Sequence, residues 1–247
     1  MYEGKYILAD LCICIRSLYD EVQQMCIDYR APEEAQPDFI VETTPADIDA
    51  EREQSEQTRI EEGLPPYAFD APYLETLAVY RRIATQCVSR KRILMHGSVI
   101  AVDGRAYMFT ARSGTGKSTH VRLWRQLFGT RAVMVNDDKP LINLSLPEAR
   151  IYGTPWDGKH RLSTNMSAPL QAICILTRAP QNTIREIRPA EAVPMLIQQT
   201  FRPEDTNLLL DTFALLDTLG KRVRFYLLGC NMDPEAAIVS SSAMIPR

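Results

Sequence analysis

Ala111-Arg112-Ser113-Gly114-Thr115-Gly116-Lys117-Ser118-Thr119 is the stretch on which the reading of this chain turns. Gly114 and Gly116 permit tight backbone curvature, so that consecutive N–H groups converge on one small anion. A helix opening at the lysine adds its N-terminal dipole to the same point. The pattern is that of a phosphate-binding loop for a nucleoside triphosphate such as ATP. In such a loop Lys117 reaches the β- and γ-phosphates and the Ser118 hydroxyl ligates Mg2+. Ser113, Gly114, Thr115, Gly116 and Thr119 complete the expected nucleotide-binding set. The first glycine of the usual pattern is replaced by Ala111, at a position that shapes the entry to the loop.

The flanks support this. Upstream, residues 98–102 and 105–110 read as strands joined by Asp103-Gly104, a dipeptide that supplies the positive φ angles of a two-residue hairpin. Downstream, Val121, Leu123, Trp124, Leu127 and Phe128 give a helical apolar stripe, which Gly129 ends. A strand over 132–135 then runs into Asn136-Asp137-Asp138. Carboxylates at the end of a buried strand beside a phosphate loop are where Mg2+ is held. Two of them can divide the work, one holding metal while the other accepts a hydroxyl proton. Asp138 is taken as the metal ligand beside Ser118, with either Asp137 or Asp138 open as the base.

Three further segments are candidates. His96-Gly97 opens the hairpin, where the imidazole reaches either the phosphates or the acceptor or is simply structural. Gly153-Thr154-Pro155-Trp156-Asp157-Gly158-Lys159-His160-Arg161 is rich in glycine and cations, and reads as a lid, an acceptor loop or an ordinary surface loop. Arg202, just before a helix, either stabilises a transferring phosphate or is solvated.

Elsewhere, strands are expected over 5–15, 38–43, 172–176 and 223–228. Helices are expected over 17–29, 47–60, 73–88, 190–199, 205–219 and 234–240. The sum is an α/β chain with a mixed-sheet phosphate-loop core over 91–247 and a small N-terminal α/β region over 1–90.

At 247 residues and 45% apolar content, the chain fits one large domain or a catalytic domain with an attachment. It has no apolar run of about 18 residues, so no membrane span is expected. Glu3 and Asp10 break the order of a signal peptide, and a cytoplasmic location is expected. Residues 30–75 hold 13 acidic and 3 basic side chains, a balance of −10, which leaves +7 for the rest of a chain whose net charge is −3. A basic catalytic part suits a polyphosphate, whereas the acidic stretch speaks against general nucleic-acid affinity. The cysteines Cys12, Cys14, Cys26, Cys87, Cys174 and Cys230 form no C-x-x-C pair and read as reduced thiols, mostly buried.

The order His-Gly, hairpin, Ser113-Gly114-Thr115-Gly116-Lys117-Ser118, strand, Asp137-Asp138 resembles the C-terminal domain of the HPr serine kinase/phosphorylase family. That family shares its nucleotide-binding core with ATP-dependent phosphoenolpyruvate carboxykinase. The resemblance spans 92–247 and is most specific between His96 and Asp138. It implies an ATP- and Mg2+-dependent kinase acting on a serine-type hydroxyl of a small molecule such as free serine, a peptide or a small protein. Two other classes stay open. A carboxykinase-type phosphotransferase would need more metal ligands and arginines upstream of the loop. A nucleotide-binding switch or ATPase would need only one of the two aspartates. A homo-oligomer is compatible with all three.

Overall fold

In the computed structural model, which describes residues 1–61, 63–158 and 161–246, the chain divides into two units, Met1–Gln86 and Cys87–Arg247. The first unit is built on β1 (Tyr2–Leu8), β2 (Leu11–Ser17) and β3 (Phe39–Glu42), with β2 central, antiparallel to β1 and parallel to β3. The run 5–15, expected as one strand, is instead split between the two arms of a hairpin. Ala9 and Asp10 take φ of 49° and 63° and reverse the chain. Alanine is rare at such φ, so the turn was hidden inside an apolar run.

The helix expected over 17–29 is shorter, α1 (Glu21–Met25) followed by a 3-10 turn over Ile27–Tyr29. The polar helix α2 (Pro45–Glu61) forms although it buries little more than Ile48 and Glu51. From α3 (Ala71–Val88), the fully buried Glu75 accepts the backbone N–H groups of Leu18 and Tyr19 and the Thr43 hydroxyl. This carboxylate ties α3 to the segments that follow β2 and β3, and its lone pairs are satisfied as burial requires.

The second unit is a nine-stranded mixed sheet. Its elements are β4 (Arg92–Leu94), β5 (Ser98–Val102), β6 (Arg105–Thr110), α4 (Lys117–Phe128), β7 (Ala132–Asn136), β8 (Leu141–Asn143), β9 (Arg150–Tyr152), β10 (Ser167–Arg178), β11 (Thr183–Ile187), α5 (Pro189–Gln199), α6 (Thr206–Arg222), β12 (Arg224–Cys230) and α7 (Glu235–Met244). β6, β10 and β12 run parallel, while β5, β7 and β11 pair antiparallel with their neighbours. The mixed sheet and α/β class agree with the sequence.

Period-two alternation sorts each strand's side chains onto two faces. Val99, Ala101, Met108, Ile173 and Ile175 join Leu196 of α5 and Leu216 and Leu219 of α6 on one side. Ile100, Val102, Tyr107, Phe109, Cys174 and Leu176 join Val121, Leu123 and Trp124 of α4 and Ala236, Ala237 and Met244 of α7 on the other. Leu127, expected in the α4 stripe, is 44% exposed, because it has rotated past the face that meets the sheet. The short strands β4, β8 and β9 carry three residues each, too few for a periodic signal. The six thiols are free, and all but Cys230 are buried. Among the described residues no helix is long and apolar enough to cross a membrane.

His120 of α4 is 2% exposed, edge-on to Phe109, with Nε2 3.0 Å from the Ser240 hydroxyl of α7. The same hydroxyl accepts the Trp124 indole N–H at 2.8 Å. His120 Nδ1 is buried with no partner among the described residues. Burial therefore holds the imidazole neutral and pushes its pKa down from 6.5 to about 4. An unfolded histidine takes its proton near 6.5 and the folded one only near 4, so between those values the unfolded state binds more protons. Stability must fall as pH is lowered through this window, by about 3 kcal/mol in all. We expect chemical unfolding measured from pH 7 to pH 4 to show this slope in the unaltered protein and to lose it in His120→Leu. Equal slopes would contradict the assignment.

Candidate phosphate-binding site

The site is assembled by register. β5 lies between β6 and β7 and is antiparallel to both, so its start falls beside their ends. Ser98 is opposite Phe109 on one side, and Val99 is opposite Asn136 on the other. Three sequence segments therefore reach one edge of the sheet: His96-Gly97-Ser98, the loop after Thr110, and Asp137-Asp138. Two bonds fasten the junction, Thr110 Oγ1 donating to His96 O at 2.9 Å and Gly97 N to Asp138 O at 3.1 Å. Gly97 is required here, because a Cβ would lie 2.9 Å from Phe109 O.

In the loop, Gly114 and Gly116 take φ of 72° and 121°, conformations that a side chain opposes. A Cβ at either would meet nothing within 4 Å, so the space beside both glycines is open. Thr115 N donates to Arg112 O at 3.2 Å and closes a turn. α4 begins at Lys117, and the N–H groups of its first turn have no intrahelical acceptor. Lys117 is 8% exposed, and its Nζ donates to Ala111 O at 3.1 Å. Burial lowers its pKa, and the nearby carboxylates of Asp138 and Asp137 oppose that. Ser113 and Ser118 are exposed, while Thr115 and Thr119 are half-buried.

The two aspartates have different partners. Asp137 Oδ1 accepts two hydroxyls, Ser98 at 2.6 Å and Ser118 at 3.2 Å. Asp138 Oδ1 lies 2.6 Å from His96 Nδ1 and 3.4 Å from Lys139 Nζ. Burial acts to raise the Asp138 pKa, but the His96 hydrogen bond and the Lys139 charge outweigh it and hold the carboxyl below its ordinary value. An ionised carboxylate needs a donor, so His96 Nδ1 carries the hydrogen.

Asn136 organises the turn that separates them. It is fully buried, and its Oδ1 accepts Asp138 N at 2.8 Å and Lys139 N at 2.7 Å. Its Nδ2 donates to Thr154 O, Thr154 Oγ1 and Trp156 O. Sequence reasoning missed Ser98, Asn136 and Lys139. Asn136 alone left a signal, being an amide at the end of an apolar strand, where burial demands that it be satisfied.

The segment that begins at Gly153 backs onto this turn. A Cβ at Gly153 would collide with Thr164 O and Val135 O, and one at Gly158 would lie 2.9 Å from Asp137 Oδ2. Asp157 Oδ2 accepts the Ser163 N–H and hydroxyl, which braces the stretch. Lys159 and His160 lie outside the described residues, and Arg161 is exposed. Arg202 is also exposed, two residues beyond Thr200, which bridges Met95. No hydrogen bond or ion pair fixes Arg202 among the described residues. Among those residues there is also no group of three or more His, Cys, Asp or Glu side chains that could hold a metal ion.

No family model matches the chain, and no curated protein matches it. Among solved structures, an Hpr(Ser) kinase/phosphatase from Coxiella burnetii is similar at 12% identity over 51% of this chain and 95% of that one. The TM-score is 0.27, a likeness too slight to bear on what this chain does.

Asn136→Ala removes five side-chain hydrogen bonds and takes from the Asp138 N–H its acceptor, while Lys139 N keeps Trp156 O. We expect a loss of about 2–4 kcal/mol of stability, read by denaturant unfolding. A loss under about 0.5 kcal/mol, the size of an ordinary surface change, would show that the amide does not organise the turn.

Proposed function

We propose that the chain is an ATP- and Mg2+-dependent kinase that transfers the γ-phosphate to a serine-type hydroxyl on free serine, a peptide or a small protein. One observation carries the reading. Two adjacent aspartates are held apart by Asn136, one joined to the hydroxyl of the phosphate loop and the other to an imidazole and an ammonium. A plain nucleotide switch has use for the first arrangement and none for the second.

The residues fit the ligands that the reading requires. The open glycine loop, the α4 N-terminus and Lys117 suit a polyphosphate. The Ser118 hydroxyl and the Asp137 carboxylate are hard oxygen ligands of the kind Mg2+ takes. Asp137, rather than Asp138, stands with Ser118, so the metal role moves to Asp137 and the base role to Asp138. Bound there, Mg2+ would offset charge on the phosphate oxygens.

Asp138 is ionised at neutral pH and can accept a proton. As the acceptor hydroxyl oxygen bonds to the γ-phosphorus, its proton passes to Asp138. The bond from that phosphorus to the β–γ bridging oxygen breaks, and ADP leaves. His96, 2.6 Å from the Asp138 carboxylate, would orient it, and Lys139, 3.4 Å from the same oxygen, would meet charge on the transferred group. The motif order from His96 to Asp138, through its resemblance to the HPr kinase family, supports a serine-type hydroxyl over other acceptors. Arg161 and Arg202, both exposed, are the cations this reading offers for holding an acceptor.

The test is phosphate transfer from labelled ATP with Mg2+ to pooled serine-containing metabolites and peptides. Lys117→Ala is expected to lose nucleotide binding. Asp138→Asn should bind nucleotide normally and lose transfer by about a hundred- to ten-thousand-fold. Asp137→Asn should raise the Mg2+ concentration needed for half-maximal rate. Label released only as free phosphate would replace the kinase reading with an ATPase or a switch.

A further inference from the structure

Two cations close the phosphate loop, and only one belongs to its sequence pattern. Lys117 Nζ donates to Ala111 O. Arg178, the last residue of β10, donates through Nη2 to Gly114 O. β10 pairs in parallel with β6, with Ile175 opposite Thr110, so Arg178 stands beyond the level at which β6 gives way to the loop. The C-terminal edge of adjacent parallel strands is where α/β sheets take their ligands.

Gly114 lies in the exposed part of that loop. Its φ is 72°, and neither it nor Gly116 has a neighbour within 4 Å of where a Cβ would stand, so packing there does not hold the backbone. Hydrogen bonds at both ends of one peptide hold it instead. The Gly114 carbonyl receives Arg178, while the Thr115 N–H of the same peptide donates to Arg112 O. In a trans peptide those two groups point in opposite directions, so the pair of bonds fixes the plane. The Lys117 ammonium has three N–H groups, so it can meet a phosphate while it keeps Ala111 O. The second cation–carbonyl closure, from Arg178 to Gly114 O, comes from outside the loop's own sequence.

We infer that Arg178 is a positioning residue that keeps the phosphate loop in its anion-ready shape before and during binding. It thereby spares the ligand part of the entropy cost of ordering the loop at Gly114. For its ligand this rests on the proposed polyphosphate site. For its geometry it does not.

The experiment has two readouts. Amide hydrogen exchange over residues 112–119 is followed in the free protein, and inorganic tripolyphosphate and ATP are titrated by calorimetry. Arg178→Ala is expected to speed exchange in the loop several-fold and to weaken tripolyphosphate and ATP equally, by about tenfold. Arg178→Lys, which keeps a cationic donor, should restore most of both. In the transfer assay the alanine variant should show a raised KM for ATP with kcat within about twofold at saturation, because a tether acts before the chemical step. Loop exchange and tripolyphosphate affinity that match the unaltered protein would overturn the inference, as would a loss confined to kcat. If the unaltered protein fails to bind tripolyphosphate, the polyphosphate reading fails, and the exchange arm still decides the role of Arg178.

Discussion

The arrangement of the second unit depends on the antiparallel pairing of β5 with both of its neighbours. A strand that enters where its partners leave gathers three stretches that are far apart in sequence at one edge without any long loop. The pairing also dictates which residues can stand there. Gly97 must be bare where the chain passes Phe109 O, and Ser98 must turn its hydroxyl to Asp137. A slip of one residue would send every inward side chain of β5 to the other face, so the apolar sorting of Val99 and Ala101 against Ile100 and Val102 protects the site as well as the core.

The polar groups below that edge form a continuous chain of obligations. Thr154 and Trp156 accept from Asn136, Asn136 accepts from the turn, and the turn presents two carboxylates to different partners. Asn136 and Thr154 are buried enough that an unmatched donor there would cost about 1–3 kcal/mol. Such a network is rigid because its alternatives are expensive, and rigidity is what distinguishes two chemically identical side chains one residue apart.

Much of this was legible in the sequence, for identifiable reasons. Asp103-Gly104 announces a hairpin, Gly114 and Gly116 announce a loop, and α4 has a stripe in Val121 and Trp124 that only a helix explains. These are local signals of backbone geometry. What escaped is what only pairing creates. Nothing in the run 5–15 marks Ala9 as the residue that takes a left-handed turn. Three-residue strands such as β8 exist because neighbours hold them. The different partners of Asp137 and Asp138 could not be read from two identical letters. They follow from Ser118 approaching on one side and His96 on the other.

The bond from Lys117 to Ala111 O has a consequence for selectivity. The ammonium is largely shielded from water and gives one of its three N–H groups to a carbonyl of its own loop, so an anion would meet the other two in a setting poor in solvent. A neutral hydroxyl or amide oxygen offers no more than the carbonyl already gives. A phosphate oxygen would offer more, because its negative charge adds Coulomb attraction to a bond whose donor is already charged. On the proposed polyphosphate reading, the shielded lysine would favour a dense anion over the sugars, alcohols and amides that crowd any protein surface.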